Sequence, residues 1–240
     1  MFLLILLITS TSLAEERITV TPDIELVRLD ENFYIHTTWF QLPEFGRFPS
    51  NGLVFIKNSR ALLIDTPNTN EQTETLYRFL HDSLHAEITN VIVGHSHSDC
   101  MGGLEFLHEQ GVESISGDLT HQICISENLP VPKKSFSYSL VFDFDNEKIE
   151  CRYFGGGHTI DNIVVFFPDS KILFGGCLIR SLNSTGLGNT AEAVLDEWDK
   201  TVMKIESTFP TIRLVVPGHG QFGDSRLLDH TIELVRQHQH

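Results

Sequence analysis

A chain of 240 residues is long enough to bury a large core and fits a single α/β domain. Hydrophobic residues at 41% and charged residues at 20% are the proportions of an ordinary globular enzyme. The net charge of -15 argues against nucleic acid or an anionic membrane surface as a partner, since both are polyanions themselves.

The N-terminus reads as a secretory signal peptide covering residues 1–14. Residues 2–8 are an uninterrupted apolar run, small polar residues follow, and Leu13-Ala14-Glu15 offers a cleavage point after Ala14. No Lys or Arg precedes the run, so only the amino terminus supplies its charge. The run is too short for an ordinary membrane-spanning helix. No cysteine stands near Ala14 to carry a lipid anchor. The mature chain, residues 15–240, is therefore expected in a periplasm or outside the cell, as one domain, without a membrane anchor, and as a monomer. Export makes disulfides the default for Cys100, Cys124, Cys151 and Cys177. A core of this size does not need them, and Cys124 and Cys151 fit either a bridge or two buried thiols.

In chain order, residues 24–29 and 33–38 read as strands. Trp39-Phe40-Gln41-Leu42-Pro43-Glu44-Phe45-Gly46-Arg47-Phe48-Pro49 is turn-rich and loaded with aromatics, which suits either a core plug or a mobile flap over a site. Ser50-Asn51-Gly52 reads as a turn, and residues 53–56 and 61–64 as a hairpin. Leu76, Phe79, Leu80 and Leu84 recur at helical spacing. Residues 88–93 form an apolar run, a buried strand by pattern, that leads into Gly94-His95-Ser96-His97-Ser98-Asp99-Cys100-Met101-Gly102-Gly103. A short helix over 104–110, a short strand over 114–116 and a helix over 121–128 follow.

The second half repeats the rhythm. Residues 138–144 and 149–154 read as paired strands with a turn at Asp145-Asn146. Gly155-Gly156-Gly157-His158-Thr159 is a glycine-rich loop, and residues 163–167 and 171–174 form a hairpin closed by Gly175-Gly176-Cys177. Ala191, Val194, Leu195, Trp198, Val202 and Ile205 define an amphipathic helix with Thr190 as its N-cap. A buried strand over 214–216 ends in Pro217-Gly218-His219-Gly220, and a last helix covers 225–237. This order suits two mixed sheets packed face to face with helices outside.

His95, His97, Asp99, His158, Cys177 and His219 all fall at the end of a strand or in the loop just after it, mostly beside glycine. Two histidines one residue apart on extended backbone point the same way, and Asp99 follows after a turn. His, Cys and carboxylate are the side chains that hold zinc. Scattered core histidines would not share such positions.

His95-x-His97-x-Asp99, Gly157-His158-Thr159, Gly175-Gly176-Cys177 and Pro217-Gly218-His219-Gly220 resemble the metallo-β-lactamase superfamily. Cys177 narrows the resemblance to the class B β-lactamases of subclass B1. Pro49-Ser50-Asn51-Gly52, Leu63-Ile64-Asp65-Thr66-Pro67, Glu71-Gln72-Thr73-Glu74-Thr75 and Leu187-Gly188-Asn189 are also similar to that group. The resemblance covers essentially the whole mature chain. It implies the four-layer αβ/βα sandwich and two zinc ions (Zn2+) in a groove at the sheet edges.

The same resemblance implies that His95, His97 and His158 hold one zinc, and Asp99, Cys177 and His219 the other. Three neutral imidazoles leave a Lewis-acidic ion whose water ionises near pH ~7. It further implies hydrolysis of the β-lactam amide in penicillins, cephalosporins and carbapenems by that hydroxide, hence antibiotic resistance, with Asp99 orienting the nucleophile. No serine nucleophile is needed. Arg180 stands where the family often has Lys and would pair with the substrate carboxylate; its guanidinium is bidentate where ammonium is a point charge. Asn189 would donate to the lactam carbonyl or cap the following helix. Trp39 and Phe45 belong to the segment that matches the family's mobile hairpin, and Asp65 supports the ligands. Cys100 stands where many relatives have Arg, as a buried thiol or, if exposed, a competitor for zinc. A glyoxalase II-like thioesterase or a lactonase is the alternative enzyme, disfavoured by Cys100 and Cys177. A non-catalytic exported zinc-binding protein is the alternative outside enzymes.

Overall fold

The computed structural model describes residues 16–42 and 46–239. The expected signal segment 1–14 and Phe45 lie outside the described residues. Eight strands form the first sheet in chain order: β1 (Arg17–Thr21), β2 (Ile24–Arg28), β3 (Phe33–Leu42), β4 (Gly46–Lys57), β5 (Arg60–Ile64), β6 (Glu87–Val93), β7 (Glu113–Gly117) and β8 (Lys134–Phe136). Neighbours are antiparallel from β1 to β5 and parallel from β5 to β8. The second sheet uses β9 (Ser139–Phe144), β10 (Glu147–Arg152), β11 (Val164–Phe167), β12 (Ile172–Gly176) and β13 (Leu214–Pro217) in the order β13-β12-β11-β10-β9. Only β12 and β13 pair in parallel there.

Three apolar clusters make these sheets into four layers. Phe33, Phe55 and Ile64 of the first sheet meet Ile149, Phe167 and Val216 of the second, filling the space between them. Leu63 and Val91 face outward onto Leu76 and Leu80 of α1 (Asn70–Leu84) and Leu104 and Leu107 of α3 (Leu104–Glu109). Leu173 and Val215 face outward onto Trp198 and Val202 of α5 (Leu195–Thr208) and Leu228 and Val235 of α6 (Arg226–His238). Helices α2 (Ser98–Met101) and α4 (Asp118–Glu127) complete the first half. Covered on both faces, β5 and the end of β6 carry consecutive apolar residues where a half-exposed strand would alternate. The expected αβ/βα sandwich is the observed one.

Two local expectations are corrected. Ser50-Asn51-Gly52 is no turn but the middle of β4, where Asn51 faces Thr37 and Gly52 faces His36 across the pair. The glycine is a packing requirement: a Cβ there would lie 2.0 Å from His36 Nε2. The helix expected from Thr190 begins at Leu195, with Val194 at the cap position. Asn189 Oδ1 accepts from Ala191 N at 3.1 Å, and Val194 N donates to Gly157 O at 2.8 Å, so the intervening residues are spent on a turn and a tether. The aromatic segment forms the two limbs of a long hairpin, β3 and β4, with Trp39 opposite Pro49 and Phe40 opposite Phe48. All four cysteines are free thiols, with Cys124 in the outer layer and Cys151 between the sheets.

His36 is buried in β3, with Nε2 3.0 Å from the Asp65 carbonyl and Nδ1 unpartnered. Burial pushes it from its ordinary 6.5 to about 4 despite that hydrogen bond. The folded value lies below the unfolded one, so the unfolded chain takes up the proton first as pH falls. Stability from this group is intact above pH 6.5 and is lost toward pH 4, by about 3 kcal/mol. Denaturant titrations of metal-free protein across that range should show wild type losing more than His36→Gln by about that amount. Parallel pH profiles for the two proteins would refute the assignment.

Candidate metal centre

Strand β6 stops at Gly94, where the Asp65 carboxylate accepts from Gly94 N at 2.6 Å. A Cβ on Gly94 would lie 2.9 Å from that oxygen, so the close approach favours glycine. Asp65 itself takes a left-handed backbone, φ 59°, a conformation to which Asp is better suited than most residues. Immediately beyond, His95 turns into the core and His97 takes extended backbone ahead of α2. Their ring centroids are 4.6 Å apart. His158 comes from the glycine-rich loop after β10, 5.1 Å from His95 and 5.3 Å from His97, and packs on Trp198 at 6.0 Å. That loop is closed by Asn162, which accepts from Thr159 N at 3.0 Å and donates to Gly155 O at 3.1 Å. One nitrogen from each of the three imidazoles lies within 4.8 Å of the others.

The second group assembles at the ends of β12 and β13. Gly218 N donates to Gly176 O at 2.7 Å, and a Cβ on Gly218 would lie 2.5 Å from Cys177 Sγ. The bare backbone thus lets Cys177 and His219 meet, with Sγ 3.4 Å from Nε2. Asp99 Oδ2 reaches from α2 to within 3.6 Å of that sulfur and 3.2 Å of the same nitrogen. His219 Nδ1 donates to the Pro49 carbonyl at 2.8 Å, which aims Nε2 at the other two.

The two sheets are joined here by polar bonds. Asn51 N donates to Gly218 O at 2.8 Å, and Asn51 Nδ2 to Pro217 O at 3.0 Å and Gly220 O at 2.8 Å. On the other side, Ile163 N donates to Gly94 O at 2.9 Å. The buried Asp161 carboxylate accepts from Ser96 N at 2.9 Å and from Thr120 Oγ1 at 2.9 Å.

Charge is divided between the groups. Burial, with the neighbouring imidazoles second, pushes His158 down to about 2 and keeps it neutral. Burial resists the charge on Asp99, but its bond to His219 and the three nearby histidines hold its carboxyl well below the usual range. A hydrogen bond from Cys100 draws Cys177 down to about 5 against burial. Burial opposes charge on His219 as well, yet Cys177 and Asp99 raise it above the usual histidine value. A neutral His158, an Asp99 carboxylate and a Cys177 thiolate are in the states that metal ligands need, while His219 holds a proton that a metal on Nε2 would displace. Nε2 of His95 and Nδ1 of His158 are buried without a hydrogen-bond partner, an uncommon condition that a bound cation relieves. These nitrogen, sulfur and oxygen donors fit zinc.

Around the ligands, Arg180 is half-buried, its guanidinium 3.4 Å from where a Cβ on Gly188 would stand. Its Nε has no hydrogen-bond partner, and among the described residues no carboxylate forms an ion pair with it. Asn189 is exposed on the loop before α5. Phe48 lies on the ring of the ligand candidate His219, centroids 4.9 Å apart, and meets Phe40 at 6.0 Å. Trp39 instead stacks under the Arg47 guanidinium at 4.8 Å, and its carbonyl accepts from Gln72 Nε2 at 2.7 Å. It lines a cavity of about 290 Å³ with Ile35, Pro49 and Phe222.

Sequence reasoning missed three contacts. Glu192 Oε2 lies 3.2 Å from His97 Nε2, a carboxylate behind a ligand candidate. Asp161 holds the amide between His95 and His97. Cys100 Sγ lies 3.1 Å from His95 Nδ1 and is buried, so the exposed alternative for this thiol does not apply. The only signal for the two carboxylates was their position, each three residues after a named site residue, Asn189 and His158.

No protein-family model matches the chain. Among curated proteins, it is 39% identical over 226 residues to a protein named metallo-beta-lactamase type 2 from Bacteroides fragilis, covering 94% of this chain and 91% of that one. A protein of the same name from Bacillus cereus is 36% identical over 221 residues, 90% of this chain and 84% of the relative. Among solved structures, TMB-1 superposes with a TM-score of 0.87 at 38% identity, covering 92% of this chain and 100% of that one. With the fold, the ligand positions and this breadth of identity in agreement, the chain belongs to the metallo-β-lactamases.

Proposed function

We propose that this protein hydrolyses the amide bond of β-lactams (penicillins, cephalosporins and carbapenems) with two zinc ions and so confers resistance to them. The observation that carries the reading is the meeting of two donor sets, three imidazoles and an Asp-Cys-His group, at the joined ends of two sheets. The curated relatives named metallo-beta-lactamase support the substrate class. Zinc in these sets supplies Lewis acidity, which activates water near pH ~7 and polarises the lactam carbonyl and leaving nitrogen.

The chain's own residues do the rest. Arg180, half-buried and without an acidic partner among the described residues, takes the substrate carboxylate through two parallel hydrogen bonds. Asn189 has its Oδ1 occupied by Ala191 N, leaving its NH2 to donate to the lactam carbonyl. Asp99, ionised beside His219, accepts a hydrogen bond from the attacking water and orients it. Phe48, on the ring of His219, offers apolar cover for substituents. Glu192 orients His97, and Asp65 and Asp161 orient the loop that bears His95 and His97.

The same reading has residues 1–14 as a signal peptide and residues 15–240 as one domain, working as a monomer in a periplasm. The apolar run at 2–8 supports export. Among the described residues, no helix is long and apolar enough to cross a membrane.

Turnover of a carbapenem by the purified protein should vanish on chelation and return with zinc. A folded, zinc-loaded sample without turnover of any β-lactam would overturn the proposal. Glu192→Gln should weaken zinc at the three-histidine set by about tenfold; an unchanged affinity in metal-buffered titration would show that the carboxylate does not tune His97.

A further inference from the structure

The mechanism uses one of two thiols that stand together. Cys100 Sγ and Cys177 Sγ lie within 4.8 Å of each other, in one group with Asp99 and His95. They reach this point from different halves of the chain, Cys100 from α2 and Cys177 from the loop after β12. Their surroundings differ. Cys177 touches Asp99 and His219, whose side chains are 13% and 16% exposed and so reach solvent. Cys100 lies beneath it, against the fully covered His95. The other two thiols have no such neighbour: Cys124 is 3.6 Å from Met101 Sδ in the outer layer, and Cys151 sits among apolar residues between the sheets.

We propose that Cys100 and Cys177 form a redox pair, a disulfide that closes when the Asp-Cys-His set holds no zinc and that zinc on Cys177 prevents. The proposal rests on Cys177 being a zinc ligand. The oxidant is hydrogen peroxide. Cys177 attacks one peroxide oxygen, the O–O bond breaks, and a sulfenic acid and one water result. Cys100 then attacks the sulfenic sulfur, the S–S bond forms, the S–O bond breaks, and a second water leaves with the thiol proton. Two thiols are oxidised by one electron each and the peroxide is reduced by two. The sulfurs must close from within 4.8 Å to about 2.05 Å. Closure removes the only sulfur donor of the Asp-Cys-His set, so metal loss followed by oxidation blocks reloading until a thiol reduces the bond.

The test is mass spectrometry of metal-free and zinc-loaded protein treated with hydrogen peroxide. Metal-free wild type should lose about 2 Da, join the peptides bearing Cys100 and Cys177, and recover its mass with dithiothreitol. Zinc loading should slow this at least about tenfold. Metal-free Cys100→Ser should instead gain oxygen at Cys177, in steps of about 16 Da, with no linked peptide. Oxygen addition without a link in wild type, or a link to Cys124 or Cys151, would overturn the pairing. A Cys100–Cys177 link that forms equally fast with zinc bound would overturn the protection, and with it the ligand role of Cys177, while carbapenem turnover reports on the β-lactamase reading separately.

Discussion

The site depends on hydrogen bonds that cross from one sheet to the other at their ends. Each donor set draws on both halves of the chain: His95 and His97 need His158, and Asp99 needs Cys177 and His219. Packing between the sheets brings the layers together but is non-directional and does not set register to within a bond length. The directional bonds do. Asn51 grips both sides of His219 through Pro217, Gly218 and Gly220, while Gly94 and Ser96 are held by Ile163 and Asp161 on either side of His95. Losing one of these bonds would shift a ligand without emptying the core.

The same junctions settle the charges. On one side, burial and crowding keep an imidazole neutral; on the other, the bond to His219 keeps Asp99 a carboxylate and the bond from Cys100 keeps Cys177 a thiolate. A cation arriving there finds the carboxylate and the thiolate already ionised and displaces the proton of His219. Arg180 extends the field outward as a half-buried positive group without an acidic neighbour among the described residues. Ionised donors within and a guanidinium free of acidic partners suit a metal and a carboxylate respectively.

Much of this was legible in the sequence because ligands at strand ends leave a local signature: an apolar run, a glycine, then a donor. His95, His158, Cys177 and His219 all carry it. What escaped was tertiary. Ser50-Asn51-Gly52 has the composition of a turn, yet Asn51 spends its side chain across the sandwich and Gly52 yields space to His36. The helix after Thr190 starts late because Val194 is tied to the His158 loop. Glu192 and Asp161 carry no motif, since a carboxylate that supports a ligand looks like any other until the chain folds. Cys124 and Cys151 could have been paired on paper; they lie in different layers of the core.

The most direct test of the account is cobalt(II) titration of the metal-depleted protein, followed by absorption. Two equivalents should bind, one producing the near-ultraviolet charge-transfer band of a thiolate ligand. That band should disappear in Cys177→Ser, while the visible bands of the three-histidine set remain. A single equivalent without a thiolate band, or a band that survives in Cys177→Ser, would contradict the claim that the two sheets bring an Asp-Cys-His set to a second ion.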